Sequence, residues 1–252
     1  MTSDVIVSLT SFPARINNVW QVVECMKRQS IRPHKIVLWL SKEQFPTIDS
    51  IPQSLKSEED DIFEIRLVDG DIRSHKKYYY VSKEYPDSHI FLIDDDIYYS
   101  SDILQKTLDA SKANPGALIC NYGYKMKYSD SKKLRPYREW IHKYDFSRDP
   151  NLFFGSGGGT LFKPSNMYKD LTDIETAVSL CPLADDIWLN AMARLSKQEI
   201  ILLKNGNILP VYNDNNVKLM SENLDNNQND SQLANVISYY LKKVLVNPFE
   251  CR

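Results

Sequence analysis

The chain has 252 residues, a formal charge of −2 and an apolar content of 42%. A chain of this length buries enough surface for one sizeable domain without disulfides or structural metals, and its slightly acidic balance excludes a general attraction to nucleic acid. Its four scattered cysteines form no CxxC pair, and no apolar run reaches the roughly 18–20 residues that cross a bilayer. We therefore expect a cytoplasmic protein.

Strand and helix patterns alternate along most of the chain. Short apolar runs predict strands at residues 5–9, 35–40, 63–68, 90–93, 117–121 and 199–203. Asn17 or Asn18 can cap a first helix. A second helical pattern covers residues 74–85, and a third begins at Asp102, whose spacing to Gln105 resembles a capping box. The alternation predicts an α/β fold: a single domain over residues 1–252, with a doubly wound, mostly parallel sheet flanked by helices.

Three consecutive aspartates, Asp94, Asp95 and Asp96, follow the apolar strand pattern of residues 90–93. Open α/β folds bind ligands at the edge where such strands end. Because side chains alternate along an extended backbone, we expect Asp94 and Asp96 on one face and Asp95 on another. Two carboxylates there can hold Mg²⁺ or Mn²⁺, with a diphosphate completing the coordination. The alternative is a solvated acidic turn, which leaves the repulsion between three adjacent like charges unexplained.

Half of the eight glycines fall within residues 155–159. Glycine lets the backbone approach a ligand closely, so the cluster predicts a contact with a small ligand, with a plain turn as the alternative. No Gly-Lys-Ser/Thr follows, which excludes a P-loop, and the spacing does not match a dinucleotide-binding GxGxxG.

Asp185 and Asp186 begin a helical apolar pattern. Acidic residues favour helix N-termini for capping and dipole reasons, which is one interpretation of the pair. A carboxylate beside a pocket can instead take a proton from an attacking hydroxyl. Trp188 could pack against a sugar or lie in the core.

Three basic residues are further candidates for the site. Arg15 follows the first predicted strand, where a doubly wound sheet would hold a nucleotide, and Lys76 or Lys77 begins the helix after the third strand and could reach a phosphate. Taken singly, each is more often a surface charge.

Two later segments depart from the alternating pattern. Residues 125–143 carry seven Lys or Arg with interleaved aromatics such as Trp140, which predicts either a loop that binds an anionic or sugar acceptor or a plain solvated loop. Residues 213–235 carry eight asparagines, a composition typical of a mobile segment. A C-terminal helix is predicted next, docked on the core or lying on a membrane surface with help from Lys242 and Lys243. Its apolar stripe is Leu233, Val236, Ile237, Tyr240, Leu241, Val244 and Leu245.

Together these segments resemble bacterial GT-A-type glycosyltransferases of the small capsule or lipopolysaccharide kind, over roughly residues 4–205. Residues 7–15 are similar to the family's opening strand and nucleotide-contacting loop, 36–46 to its second strand, 93–97 to its DxD motif, 157–161 to its glycine loop and 184–188 to its late acidic motif. The order of these motifs is more specific than the DxD motif alone.

The resemblance implies transfer of a sugar from a nucleotide diphosphate sugar, expected to be a UDP-sugar, to a hydroxyl of a glycan or lipid-linked glycan. Residues about 1–116 would hold the donor and about 117–252 the acceptor. Asp94 and Asp96 would bind a Mn²⁺ or Mg²⁺ ion, and Asp186, or else Asp185, would activate the acceptor with inversion. Donor contacts would come from Thr10, Ser11, Arg15, Lys76, Lys77, Asp94, Asp95, Gly157, Gly158 and Gly159, and acceptor contacts from Trp140 and Trp188.

One departure bears on the metal, and two other functions stay open. Many relatives have a metal-binding histidine late in the chain, whereas the last histidine here is His142, so a third protein ligand would be absent or come from Asp214 or a neighbouring asparagine.

A sugar-1-phosphate nucleotidyltransferase usually has a GxGxR loop after its first strand, but this chain has no glycine before Gly70. An inactive glycan-binding relative would not need the late acidic pair. Peripheral contact with the inner membrane is the alternative to a purely cytoplasmic location.

Overall fold

A sheet of seven strands lies at the centre of the protein. The computed structural model describes residues 4–143, 148–203, 208–211 and 228–252. Within these ranges the strands are β1 Val5–Thr10, β2 Lys35–Ser41, β3 Phe63–Val68, β4 His89–Ile93, β5 Ile97–Tyr99, β6 Leu118–Cys120, β7 Gly123–Lys125, β8 Ile141–Lys143, β9 Leu152–Phe154, β10 Gly158–Phe162, β11 Ile200–Leu202 and β12 Ile208–Pro210. The helices are α1 Val19–Lys27, α2 Gln53–Lys56, α3 Lys76–Glu84, α4 Ile103–Ala113, α5 Ile174–Leu180, α6 Asp185–Leu195 and α7 Gln228–Val244.

The central sheet has the strand order β11-β6-β10-β4-β1-β2-β3. Neighbouring strands are parallel except for β10, which is antiparallel to both β4 and β6. The predicted mostly parallel α/β sheet is therefore confirmed. Because β2 and β4 lie on opposite sides of β1, the order of strands reverses there, and a crevice opens beyond the carboxyl ends of β1 and β4.

Each face of the sheet packs on its own hydrophobic core. Val5, Val7 and Leu9 of β1 join the core formed with α1 and α4, whereas Ile6 joins the core formed with α3, α6 and α7. The alternation follows from the two-residue period of a strand. Each fully buried aliphatic side chain contributes roughly 1.5–3 kcal/mol, so these cores fix the sheet edge on which the crevice opens.

The capping box predicted at the start of α4 is absent. The Asp102 carboxylate accepts a hydrogen bond from Ser100 Oγ at 2.9 Å and pairs with Lys106, and it makes no capping bond to the backbone. The Gln105 amide donates to Asp109 at 2.9 Å. The prediction was wrong because nearby side chains engage both residues of the box.

The C-terminal helix α7 docks on the core, as one of the two alternatives predicted. Leu233, Val236 and Tyr240 of its apolar stripe are buried. Lys243 extends from the same helix to Asp170, with 2.8 Å between Nζ and Oδ2. None of the helices within the described ranges combines the length and the apolar character needed to cross a bilayer.

The prediction of a mobile segment over residues 213–235 is wrong for its last part, which forms the first turns of α7. Residues 228–235 are helical, because tertiary hydrogen bonds outweigh their composition. The Tyr137 N–H donates to Asp230 Oδ1 at 2.8 Å, and the Leu183 N–H donates to Gln232 Oε1 at 2.9 Å. Residues 213–227, which include Asp214, lie outside the described residues.

Candidate active site

A pocket of about 890 Å³ opens beyond the carboxyl ends of β1 and β4. Its volume lies within the roughly 300–1,000 Å³ typical of small-molecule and cofactor sites. The loop after β1, the starts of α3 and α6, and the turn before β10 form its walls. The pocket brings together most of the predicted site residues, namely Thr10, Ser11, Arg15, Lys76, Lys77, Asp94, Asp95, Asp96, Trp140, Gly157, Gly158, Asp185 and Asp186.

The three consecutive aspartates have different environments. The side chains of Asp94 and Asp96 are 40% and 37% exposed, whereas Asp95 is 6% exposed. The Asp95 carboxylate accepts hydrogen bonds from Ser11 Oγ at 2.6 Å and from Arg15 at 2.9 Å. Asp95 therefore holds the loop after β1 in place, and its predicted contact with a donor stays a prediction, because Asp95 also lines the pocket.

Lys77 joins the aspartates after β4 to the acidic pair that begins α6. Its Nζ lies 2.8 Å from Asp94 Oδ1 and 3.1 Å from Asp185 Oδ2, and its side chain is 5% exposed. Burial by itself lowers the pKa of Lys77, but the charges of Asp185 and Asp94 outweigh burial and raise the pKa above its ordinary value. Lys77 therefore stays charged and fixes the separation of the two acidic clusters.

Ser156, inside the glycine cluster, holds both members of the acidic pair. Its Oγ donates to Asp185 Oδ2 at 2.8 Å, and its N–H donates to Asp186 Oδ1 at 2.7 Å. Burial and the charge of Asp185 raise the pKa of Asp186 to about 7. Burial opposes ionisation of Asp185 as well, but Lys77 and His75 outweigh it and lower the pKa of Asp185. Asp186 is thus the member that can take up a proton near neutral pH.

Replacing Asp186 with asparagine is expected to stabilise the protein above pH 7. The raised pKa means that the folded state binds a proton between about pH 4 and 7 that the unfolded state does not, so stability falls as the pH rises through this window. Asparagine removes the charge of this partly buried carboxyl and can still accept the Ser156 hydrogen bond. We expect the melting temperature to rise by about 2–4 °C at pH 8, which corresponds to about 1 kcal/mol in a chain of this size.

Calorimetric scans at pH 8 and pH 5 test this expectation. The gain from Asp186→Asn should shrink at pH 5, where the wild-type carboxyl is already protonated. Asp185→Asn is the matched comparison and should lower the melting temperature at pH 8, because it removes an ionised partner of Lys77. A lower melting temperature for Asp186→Asn at pH 8 would contradict the assigned protonation.

Two predicted contacts lie away from the pocket. Trp188 is fully buried, and its indole N–H donates to the Leu171 carbonyl at 3.1 Å, so the predicted contact with an acceptor is wrong. Gly159 lies within β10, where an added Cβ would come within 2.9 Å of the Phe91 ring, and it does not line the pocket. Its predicted contact with a donor is corrected for that reason. The sequence could not place Trp188, because a tryptophan on a helix has the same spacing to its apolar neighbours whether it packs in the core or contacts a ligand.

Two further predicted donor residues line the pocket but already have protein partners. Lys76 pairs with Asp71, and Thr10 Oγ1 donates to the Trp39 carbonyl at 2.7 Å. Both side chains therefore shape the wall through contacts within the protein.

Gly157 is required by the close approach of the turn before β10 to Asp94. The Asp94 N–H donates to the Gly157 carbonyl at 3.1 Å. A Cβ added to Gly157 would lie 1.8–2.0 Å from the atoms of the Asp94 carboxylate, so the two groups could not occupy these positions together.

Sequence reasoning missed several residues that shape the site. Asn190, fully buried on α6, accepts a hydrogen bond from the Phe154 N–H at 3.0 Å and donates to the Phe154 carbonyl at 2.8 Å, which ties α6 to β9. The sequence gives one indication of Ser156, since it is the polar residue inside the glycine cluster. Further pocket residues outside the predicted set include Tyr122, Tyr124, Tyr137, Arg138 and Asn229.

Asp94 and Asp96 are the residues that could hold a divalent cation. Burial and the charge of Asp94 raise the pKa of Asp96 to about 6, although Arg15 opposes this from 2.9 Å. A cation would relieve the repulsion, and carboxylate oxygens suit Mg²⁺ and Mn²⁺. The described residues contain no group of three or more His, Cys, Asp or Glu able to hold a metal. Asp94 and Asp96 therefore offer two carboxylate ligands to a divalent cation.

Comparison with known proteins gives matches to solved structures alone: no protein-family model matches the sequence, and no curated protein matches it. TarS 1–349 from S. aureus, in complex with UDP-GlcNAc, has a TM-score of 0.58 at 10% identity, covering 94% of this chain and 66% of that chain. The mannosyltransferase PcManGT from Pyrobaculum calidifontis, in complex with GDP-Man and Mn²⁺, has a TM-score of 0.56 at 11% identity, covering 95% and 64%. The chain has a GT-A-like fold.

A third neighbour with this fold pattern is 4-diphosphocytidyl-2C-methyl-D-erythritol synthase from Anaerococcus prevotii. Its TM-score is 0.51 at 12% identity, and the match covers 84% of this chain and 93% of that chain. At these identities the likeness concerns the fold, so the function has to be argued from the pocket.

Proposed function

We propose that this protein is a nucleotide-sugar-dependent glycosyltransferase that transfers a hexose from a nucleotide diphosphate sugar, with a UDP-sugar as the expected donor, to a hydroxyl of a cell-surface glycan precursor. The bridge from Asp94 through Lys77 to Asp185 carries this proposal. The bridge holds the Asp94 carboxylate, which is suited to a cation-bound diphosphate, at a fixed distance from the start of α6. The start of α6 also carries the proposed proton acceptor, Asp186. The nucleotide sugars bound to TarS and PcManGT support the choice of donor class.

The donor half, residues about 1–116, would bind the nucleotide and diphosphate. The diphosphate would lie near Asp94, Asp96 and Arg15, and a bound Mn²⁺ or Mg²⁺ would neutralise the charge that develops on the departing diphosphate. Arg15 is held by Asp95 and Asp96, which orients its guanidinium on the pocket wall. The donor sugar would lie beside Gly157 and Gly158, which let Asp94 and Tyr122 pack closely against the backbone at the pocket wall.

The acceptor half, residues about 117–252, would present a hydroxyl to Asp186. Its carboxylate takes the proton as the hydroxyl oxygen attacks the anomeric carbon from the side opposite the diphosphate, which inverts the configuration there. Ser156 and Lys77 hold the acidic pair in place for this step. We place the protein in the cytoplasm, with peripheral contact at the inner membrane where the acceptor is lipid-linked.

Incubation with UDP- and GDP-sugars tests the proposed function directly. With Mn²⁺ we expect slow release of nucleoside diphosphate and free sugar from one donor, because water can replace the acceptor, and EDTA should suppress it. A sugar-1-phosphate nucleotidyltransferase would instead release pyrophosphate from a nucleoside triphosphate and a sugar phosphate. An inactive glycan-binding relative would turn over neither substrate. Either of these outcomes would overturn the proposal.

Asp96→Ala is expected to abolish the gain in nucleotide affinity that Mn²⁺ provides. The variant removes one of two carboxylates at the proposed cation position, and the Asp94–Lys77 pair remains. Titration calorimetry with UDP, with and without Mn²⁺, measures the effect. Asp109→Ala, an exposed residue on α4, is the matched control and should keep the full gain. An undiminished Mn²⁺ effect in Asp96→Ala would remove Asp96 from the site.

Gly157→Ala is expected to weaken Mn²⁺-supported UDP binding at least about tenfold, because the new methyl group displaces the Asp94 carboxylate. Asp94→Ala should cause a similar loss. The double variant should bind no more weakly than either single variant, since both act on one group. Additive losses in the same calorimetric titration would show that Gly157 acts independently of Asp94.

A further inference from the structure

The wall of the pocket next to α6 is built from aromatic rings. Tyr122, Tyr124, Tyr137 and Trp140 line it together. The Tyr137 and Trp140 rings lie 4.5 Å apart between centroids, and the Tyr122 and Tyr124 hydroxyl oxygens lie 2.9 Å apart. Rings packed on one another form a rigid apolar surface with polar hydroxyl edges. Such a surface matches a pyranose, which has apolar C–H faces and a rim of hydroxyls.

A single exposed arginine lies within this aromatic wall. Arg138 falls between Tyr137 and Trp140 in the chain and lines the same pocket. Of the other cations that line the pocket, Arg15, Lys76 and Lys77 pair with carboxylates, whereas Arg73 lies before α3 and outside the aromatic wall-forming segments. Across the described residues, no carboxylate forms an ion pair with Arg138, so its guanidinium is available to an anion from outside the protein.

The first turn of α7 lies beside the aromatic wall and carries a hydrogen-bond acceptor that has no donor. Hydrogen bonds from the Tyr137 N–H to Asp230 and from the Leu183 N–H to Gln232 fix this turn between the aromatic wall and the start of α6. Asn229, in the same turn, lines the pocket, and its buried Oδ1 lacks a hydrogen-bond partner in the described structure. Leaving a buried acceptor unpaired destabilises the folded protein. A ligand hydroxyl would remove that destabilisation.

We propose that this wall is an acceptor subsite for an acidic sugar, a pyranose that carries a carboxylate or a phosphate group. The sugar ring packs on the aromatic wall, one hydroxyl donates to Asn229 Oδ1, and the anionic group binds the Arg138 guanidinium. The inference rests on the proposed function, which places the reacting hydroxyl at Asp186. A site with this many carboxylates repels anionic ligands, and Arg138 supplies the opposite charge that such an acceptor needs.

Binding of simple glycosides to the full chain tests the proposal without a donor. The probes are methyl glucuronide, methyl glucoside and methyl glucoside 6-phosphate, titrated by ligand-observed NMR at low salt. We expect at least one acidic glycoside to bind about tenfold more tightly than the neutral one, and the difference to shrink as salt screens the charge. Comparison of the two acidic probes identifies which anionic group is preferred.

Two variants separate charge recognition from positioning. Arg138→Gln should erase the preference for the acidic glycoside. Arg135→Gln is the matched control in the same loop and should retain it, because Arg135 is engaged by Glu139 at 3.0 and 3.1 Å and does not line the pocket. Asn229→Ala should weaken binding of acidic and neutral glycosides by the same factor.

The outcomes are distinguishable from those of the proposed function. Equal behaviour of acidic and neutral glycosides, including the absence of binding by both, would overturn the acidic-sugar subsite even if nucleotide sugars are hydrolysed. Retention of the preference by Arg138→Gln would overturn it too. A preference that depends on Arg138, in a protein that hydrolyses no nucleotide sugar, would support the subsite and reject the transferase.

Discussion

Replacing Lys77 with methionine is expected to lower the free energy of unfolding by about 3–5 kcal/mol, the usual cost of removing one partner from a buried ion pair. Methionine keeps the length of the side chain but leaves Asp185, 8% exposed, without the cation 3.1 Å away. Asp94 loses a partner as well. Urea unfolding followed by circular dichroism measures the change at pH 7.

Two comparisons make this result specific to the bridge. Lys83→Met removes an exposed lysine from the same helix, so we expect a change within about 0.5 kcal/mol. Adding Asp185→Asn to Lys77→Met should recover part of the loss, because the uncompensated buried charge disappears. If Lys77→Met unfolds no more readily than Lys83→Met, Lys77 does not connect the two acidic clusters.

Asp186→Asn is expected to reduce the turnover number for sugar transfer by about 10²–10⁴-fold, the range that general-base catalysis contributes. Asparagine can accept the Ser156 hydrogen bond in place of Asp186 Oδ1, so the start of α6 should keep its position. It cannot take up the acceptor proton. Binding of UDP with Mn²⁺ should be unchanged, because the proposed site for the diphosphate is at Asp94 and Asp96.

The pH profile separates loss of the base from a structural effect. In the wild type, kcat/KM should increase as the pH rises through about 7, because Asp186 must be deprotonated to accept a proton. This rise should be absent from the residual activity of Asp186→Asn. Full turnover in the variant, with the wild-type pH profile, would assign the base to another group.

The same substitution is expected to stabilise the protein and to inactivate it. A partly buried carboxyl whose pKa is raised to about 7 costs stability when it ionises, and a proton acceptor for chemistry at neutral pH needs this property. Asp185 differs because Lys77 lies beside it, so its ionised form supports the fold. Two adjacent aspartates thus take opposite roles through their partners.

The sheet and the aspartate cluster were predictable because both follow from local patterns. A buried parallel strand is a continuous apolar run, as in residues 90–93, and the carboxyl end of such a strand is where α/β folds bind ligands. The alternation of side chains also predicted that Asp95 would point away from Asp94 and Asp96. Its partners could not be predicted, because Ser11 and Arg15 are distant in sequence.

Other features depend on contacts that have no local signal. Trp188 has the spacing of a residue on an apolar helix face, and burial alone decides that it packs in the core. The composition of residues 228–235 is typical of a mobile segment, yet hydrogen bonds from Tyr137 and Leu183 fix them as a helix. The bridge through Lys77 joins three distant parts of the chain, so it emerged only from the fold.

A crystal structure of the protein with a UDP-sugar and Mn²⁺ tests the central claim most directly. We predict an anomalous Mn²⁺ peak within coordination distance of both the Asp94 and Asp96 carboxylates and of two phosphate oxygens, with the Asp186 carboxylate facing the anomeric carbon across the pocket. A fully occupied nucleotide whose phosphates lie elsewhere, with no Mn²⁺ at Asp94 and Asp96, would contradict this account.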